Sequence, residues 1–155
     1  MTVAEKLVEL LKAQGLTCAT AESCTGGGVG SAITAVPGSS AVFAGGVISY
    51  SNEVKRDVLG VSADILQNVG AVSSETAAQM AEGARKLLKV DLAVSLTGIA
   101  GPDGGSEEKP VGLVWFGLAT KDGVRTEKCI FRGDRAKIRE QAVIHALGML
   151  TIGAT

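Results

Sequence analysis

The spacing of apolar residues divides the chain into short helices and strands. Val3, Leu7, Leu10 and Leu11 recur at the spacing of one helix face. Thr2 and Glu5 stand in capping-box positions ahead of it, and Gly15 supplies a stop. Residues 16–22 read as a strand, and Ser23, Cys24, Thr25 and a run of glycines open a helix over about 25–36 that Pro37 and Gly38 end. Residues 42–50 read as a buried strand. Two short helices fit from Ser51 or Asn52 to Gly60 and over 62–69. Ser73 or Ser74 caps a longer helix ending near Leu88, with Ala77, Met80, Ala81, Ala84, Leu87 and Leu88 facing inward. Val90 to Leu96 is a strand. Val111 to Ala119 and Glu127 to Phe131 are two more, joined at Lys121-Asp122-Gly123 as a hairpin. Asp134 caps a final helix over about 135–150.

The order α-β-α-β-α-α-α-β-β-β-α mixes crossovers with one hairpin. It predicts an α/β fold: a three-layer α/β/α sandwich around a mixed, mostly buried sheet of about five strands. With no internal repeat and no low-complexity linker, residues 1–155 read as a single domain.

Composition narrows the function classes. Glycine makes up 21 of 155 residues, about twice the usual ~7% share. Fifteen Lys plus Arg face sixteen Asp plus Glu, for a net charge of −1, so nothing marks a nucleic-acid binder. No apolar run reaches the roughly 18 residues that span a bilayer, so no membrane association is expected. Three cysteines fit no disulfide framework, and the N-terminus lacks a secretory pattern, which together predict a cytoplasmic protein with reduced thiols. One histidine and three scattered cysteines supply no ordinary zinc site. The expectation is chemistry with no metal and no cofactor.

Two glycine clusters each follow a strand. The first, Gly26-Gly27-Gly28-Val29-Gly30, opens a helix, where free amides and the helix dipole attract a phosphate or an oxyanion. It is neither a P-loop nor a good dinucleotide fingerprint, because no Gly-Lys-Ser/Thr follows and Ile33 stands where a third small residue belongs. Ser23 sits at this strand-to-helix turn as a candidate nucleophile, with Cys24 as its rival. His145, in an apolar stretch of the last helix, reads as a structural histidine, so the base falls to Tyr50 or Lys55. A partly desolvated lysine can accept a proton. Tyr50-Ser51-Asn52 matches the Tyr-x-Asn order of some serine β-lactamases, a chemical analogy only. The second cluster runs from Thr97-Gly98-Ile99-Ala100-Gly101 to Gly105, at the end of a buried strand where α/β folds place ligands. Arg132, Arg135 and Arg139 gather near the start of the last helix and suit a phosphate or carboxylate.

Three stretches, Ala21-Glu22-Ser23-Cys24-Thr25-Gly26-Gly27, Ile48 to Lys55 and Thr97 to Gly112, occur in an order that closely resembles the C-terminal domain family of the competence/damage-inducible protein CinA. The resemblance covers nearly the whole chain. Stand-alone members of this length act as nicotinamide-nucleotide amidases, converting nicotinamide mononucleotide to nicotinic acid mononucleotide and ammonia. The resemblance implies Ser23 as nucleophile, Tyr50 and Lys55 as base partners, and the Thr97-Gly98 loop as a pocket wall. Together with the glycine-cluster and arginine readings above, this makes Thr25, Gly26, Gly27, Gly46, Thr97, Gly98, Ala100, Arg135 and Arg139 the expected substrate-binding residues. The small-molecule nucleotide is the expected partner, and a homo-oligomer, with a dimer favoured, is the expected assembly. Two alternatives stand beside this: a non-catalytic nucleotide sensor, and an amidase for another small amide.

Overall fold

In the computed structural model, which describes residues 1–155, the elements follow the expected order with one added 3-10 turn at Ser39–Ala41. They are α1 (Val3–Gln14), β1 (Cys18–Glu22), α2 (Gly28–Thr34), β2 (Phe43–Ile48), α3 (Asn52–Asp57), α4 (Ala63–Asn68), α5 (Ser74–Leu88), β3 (Leu92–Gly98), β4 (Leu113–Thr120), β5 (Gly123–Ile130) and α6 (Arg135–Gly153). Four of the helices start on side chains that satisfy otherwise orphaned amides. Thr2, Ser51, Ser73 and Asp134 accept from the amides of Glu5, Val54, Thr76 and Lys137.

The strand order is β2-β1-β3-β4-β5. β1 runs parallel to β2 and β3, while β4 and β5 are antiparallel, giving the mixed sheet. The chain leaves β1 toward β2 on one side and later returns as β3 on the other. The C-terminal ends of these three parallel strands therefore meet at a switch point, where such sheets open a crevice. Ser23 follows β1, Ser49 and Tyr50 follow β2, and Thr97 and Gly98 close β3.

Helices α1, α2 and α6 cover one face through Leu7, Leu11, Val29, Ile33, Ile138 and Leu150, packed on Leu96 and Phe116. Helix α5 covers the other face, where Met80 and Ala84 meet Ala19, Ala21 and Ala93, small residues that let the helix lie close. Ser95 donates its hydroxyl to the Ala77 carbonyl, and a Cβ at Gly117 would stand 2.5 Å from that same oxygen. That close approach explains a glycine in the middle of β4.

The structure corrects several boundaries. Val3 is exposed, and the inward face of α1 is Ala4, Leu7, Val8 and Leu11. β1 starts at Cys18 because Thr17 instead pairs with the Asp91 carboxylate. α2 starts only at Gly28, since Gly26 and Gly27 take left-handed φ angles of 60° and 102° that no helix contains. Leu87 is half exposed on the outer side of α5. β5 begins at Gly123, four residues before Glu127, because Thr120 pairs with Gly123 across a tight two-residue turn. α6 continues to Gly153, its last turns buried through Met149 and Leu150.

Candidate active site

The ends of the parallel strands enclose a cleft of about 190 Å³. Ser23, Tyr50, Lys55, Thr97, Gly98, Ala100 and Arg135 all line it, together with Cys24, Asn52, Ala71 and Val72. Ala71 and Val72 lie between α4 and α5, in a segment that carries no chemical signature in the sequence. They reach the site because the Thr97 hydroxyl donates to the Ala71 carbonyl at 2.9 Å.

Lys55 is the centre of the arrangement. Ser51 caps α3, so the helix begins where its first turn carries Lys55 back toward β1. The side chain is only 1% exposed. Nζ lies 3.2 Å from Ser23 Oγ and donates to the Ser49 carbonyl at 2.7 Å and the Tyr50 carbonyl at 3.2 Å. None of the chain's ion pairs includes it. Burial without a counter-charge disfavours the ammonium, and the Lys55 pKa falls below its ordinary 10.5.

Ser23 is buried, and its amide is held by the Leu96 carbonyl of β3. The next turn folds back through Gly26 N–H donating to the Ser23 carbonyl. The Cys24 amide donates to no other residue, and Cys24 lines the cleft, which leaves one donor beside the serine. Burial pushes the thiol of Cys24, the rival candidate, up to about 11, which disfavours its thiolate.

Two sequence expectations are redirected. The α2 start is not open to a phosphate, because the Glu22 carboxylate already accepts from Val29 N–H at 2.9 Å and Gly30 N–H at 3.0 Å. Thr25 donates its hydroxyl to the same carboxylate at 2.7 Å and is turned away from the cleft. Gly26, Gly27 and Gly46 also stand outside the cleft lining; Gly27 and Gly46 border a separate hollow between α2 and β2. Arg139 does not line the cleft either. Its guanidinium donates to the Cys24 carbonyl at 3.0 Å and the Thr25 carbonyl at 3.2 Å, clamping the turn from outside. Arg135 does reach the cleft and rests on the Gly101 carbonyl at 2.8 Å, with its remaining N–H groups free.

Tyr50 lines the mouth, but its ring is 64% exposed and its phenol makes no hydrogen bond within the chain. Only its backbone carbonyl touches Lys55. His145 lies apart, bonded to Glu127 at 3.1 Å and packed on Phe116, as a structural histidine does. No helix is long and apolar enough to cross a membrane.

The model of the CinA C-terminal domain matches residues 1–152. The chain is similar to the nicotinamide-nucleotide amidohydrolase PncC of Escherichia coli, 51% identical over 97% of this chain and 92% of that one. It is also 57% identical, over 87% of its own length, to a protein of Halothermothrix orenii described as competence-damage inducible. It spans only 33% of that longer protein. The crystal structure of competence/damage inducible protein CihA from Agrobacterium tumefaciens superposes with a TM-score of 0.95 at 44% identity, covering 98% of this chain and 93% of the other. Sequence, fold and family model agree over the same residues, and the chain belongs to the CinA C-terminal domain family.

Proposed function

We propose that this chain hydrolyses the carboxamide of nicotinamide mononucleotide to nicotinic acid mononucleotide and ammonia, with Ser23 as nucleophile and Lys55 as base. The observation that carries the reading is the buried lysine without a counter-ion, 3.2 Å from a buried serine. An uncharged amine has two hydrogens and one lone pair. The Ser49 and Tyr50 carbonyls take the hydrogens, and the lone pair is left for the Ser23 hydroxyl. Ser23 Oγ adds to the carboxamide carbon as its proton passes to Nζ. The ammonium so formed hands that proton to the departing nitrogen, which leaves as ammonia. Water then opens the acyl-enzyme: Lys55 takes its proton and returns it to Ser23 Oγ. The Cys24 amide receives the oxyanion at both stages.

Lys55 therefore takes the proton, and Tyr50 serves as a wall of the cleft. The cleft is smaller than the roughly 300 Å³ at which pockets for whole small ligands begin. It encloses the pyridine carboxamide, and the ribose phosphate extends through the mouth toward Arg135. The scarcity of aromatics fits a ring held by backbone and small side chains, with Ala71, Val72, Gly98 and Ala100 around it. The relative named as a nicotinamide-nucleotide amidohydrolase supports the choice of substrate. The same reading takes residues 1–155 as one amidase domain of a cytoplasmic enzyme working as a homodimer, and three free thiols fit a reducing compartment.

Incubating the protein with nicotinamide mononucleotide and measuring ammonia tests the proposal. Turnover that disappears in Ser23→Ala supports it. Binding without ammonia identifies a nucleotide sensor instead, and turnover that survives in Ser23→Ala removes the serine mechanism.

A further inference from the structure

Glu22 stands immediately before the nucleophile and takes no part in the proton transfers above. It is 1% exposed and forms no ion pair. A carboxylate buried this deeply is costly unless its oxygens are fully engaged. Here they are: Oε1 accepts from Thr25 Oγ1 at 2.7 Å and Val29 N–H at 2.9 Å, and Oε2 accepts from Gly30 N–H at 3.0 Å. Every partner is a donor, and two are amides of the first turn of α2, where the helix dipole favours negative charge. The carboxylate thus ties the turn after Ser23 to the helix that follows it.

The main chain of the same residue ties the other half of the site. The Glu22 carbonyl accepts from Ser49 N–H at 2.7 Å and Ser49 Oγ at 3.2 Å. Ser49 in turn presents the carbonyl that receives Lys55 Nζ at 2.7 Å. One residue therefore joins the serine turn, through its side chain, to the lysine anchor, through its backbone. A side-chain substitution alters only the first of these links.

We propose that Glu22 is a positioning residue for this hydrolysis, whose carboxylate holds the Ser23–Gly27 turn so that the Cys24 amide stays open to the cleft. This rests on the amidase reading above. Glu22→Gln keeps the shape but places an amide donor against one of the three donors it should accept. The turn then relaxes and the oxyanion donor loses its aim. Losing one such donor in acyl transfer costs on the order of a hundredfold or more in rate, so a drop of at least about thirtyfold is expected for partial misalignment. Glu22→Asp is too short to reach Val29 and Gly30 together and should fail similarly, although it keeps the charge.

The test measures kcat and KM for nicotinamide mononucleotide across pH in wild type, Glu22→Gln and Thr25→Val. Alongside, mass spectrometry follows the rate at which phenylmethanesulfonyl fluoride labels Ser23. The expected result is kcat down at least about thirtyfold in Glu22→Gln with KM within threefold, and an acid limb at the wild-type midpoint, because the Lys55 anchor is unaltered. Thr25→Val, which removes one of the three bonds from the far end, should lower kcat severalfold in the same manner. It decides the matter if Glu22→Gln fails to fold. Wild-type kcat in both variants, a loss confined to KM, or a displaced acid limb overturns the proposal. If wild type releases no ammonia yet its Ser23 is labelled, the amidase reading fails, and slower labelling in Glu22→Gln still upholds the positioning role while unchanged labelling overturns it.

Discussion

Replacing Lys55 with methionine keeps most of the side-chain volume and removes only the amine. In the native protein that amine meets two carbonyls and one serine hydroxyl, and no carboxylate. A positioned base contributes roughly 10²–10⁴ in rate, or about 2.7–5.4 kcal/mol at 1.36 kcal/mol per decade. Lys55→Met should therefore lower kcat/KM at least a hundredfold. Because burial holds the Lys55 pKa below 10.5, wild-type kcat/KM should climb with pH as Nζ loses its proton, and this limb should vanish in the variant. Stability moves in the same sense. Between the lowered folded pKa and the ordinary unfolded one, the unfolded chain binds more protons, so wild-type stability rises with pH across that window. Below it the cost of burying the charge is complete. In Lys55→Met the rise should flatten. The loss of a partner for the buried Ser49 carbonyl costs about 1–3 kcal/mol, the part-buried Tyr50 carbonyl less, offset by relief of the buried charge, so the variant should stay folded. Steady-state ammonia release over a range of pH, with Tm measured in the same buffers, provides the readout. Residues acting as one unit are not additive, so Ser23→Ala combined with Lys55→Met should be no worse than the worse single variant. Lys55 is not the base if Lys55→Met keeps more than about a tenth of wild-type kcat/KM, if the acid limb persists unchanged, or if the two losses multiply.

Tyr50→Phe should keep kcat within about tenfold, less than the loss of a base, since the exposed phenol bonds to nothing within the chain; a hundredfold loss would return the proton-accepting role to Tyr50. Arg135→Ala should raise KM for nicotinamide mononucleotide while leaving kcat nearly unaltered, and should hardly affect nicotinamide riboside, which lacks the phosphate; equal effects on both substrates would remove Arg135 as the phosphate contact. Gly117→Ala places a Cβ 2.5 Å from the Ala77 carbonyl and 2.7 Å from Ser95 Oγ. It should cost about 1–3 kcal/mol as α5 is pushed from the sheet, seen as a lower Tm, whereas an unchanged Tm would mean that the helix yields freely.

The periodic elements were legible because side-chain spacing and caps report on local geometry. Thr2, Ser73 and Asp134 cap as their positions foretell. The late start of α2 was not, because the same glycines that open a helix also permit the left-handed turn seen at Gly26 and Gly27. The early start of β5 was missed because Val124, Arg125 and Thr126 alternate on an exposed edge and carry little apolar signal. At the site, Ser23, Lys55, Thr97 and Arg135 could be named from motif and position. The roles of Arg139 and Glu22 could not, since a guanidinium bound to backbone carbonyls and a carboxylate bound to amides leave no trace in residue spacing. A single charged residue at the end of an otherwise uncharged strand was the one available hint for Glu22.

The two atoms that hold Lys55 Nζ besides the serine are main-chain oxygens, which any amino acid at positions 49 and 50 would provide. On the proposed reading, the hydrolytic step and the contour of the cleft mouth are thereby separable. The ring at position 50 can be exchanged for another side chain while the lysine keeps its acceptors, and Asn52 is a second such position at the rim. Libraries at residues 50 and 52 are accordingly the place to seek variants that accept other aromatic or heterocyclic amides. Main-chain acceptors that hold the proposed base thus leave substrate range open to evolution at the cleft rim.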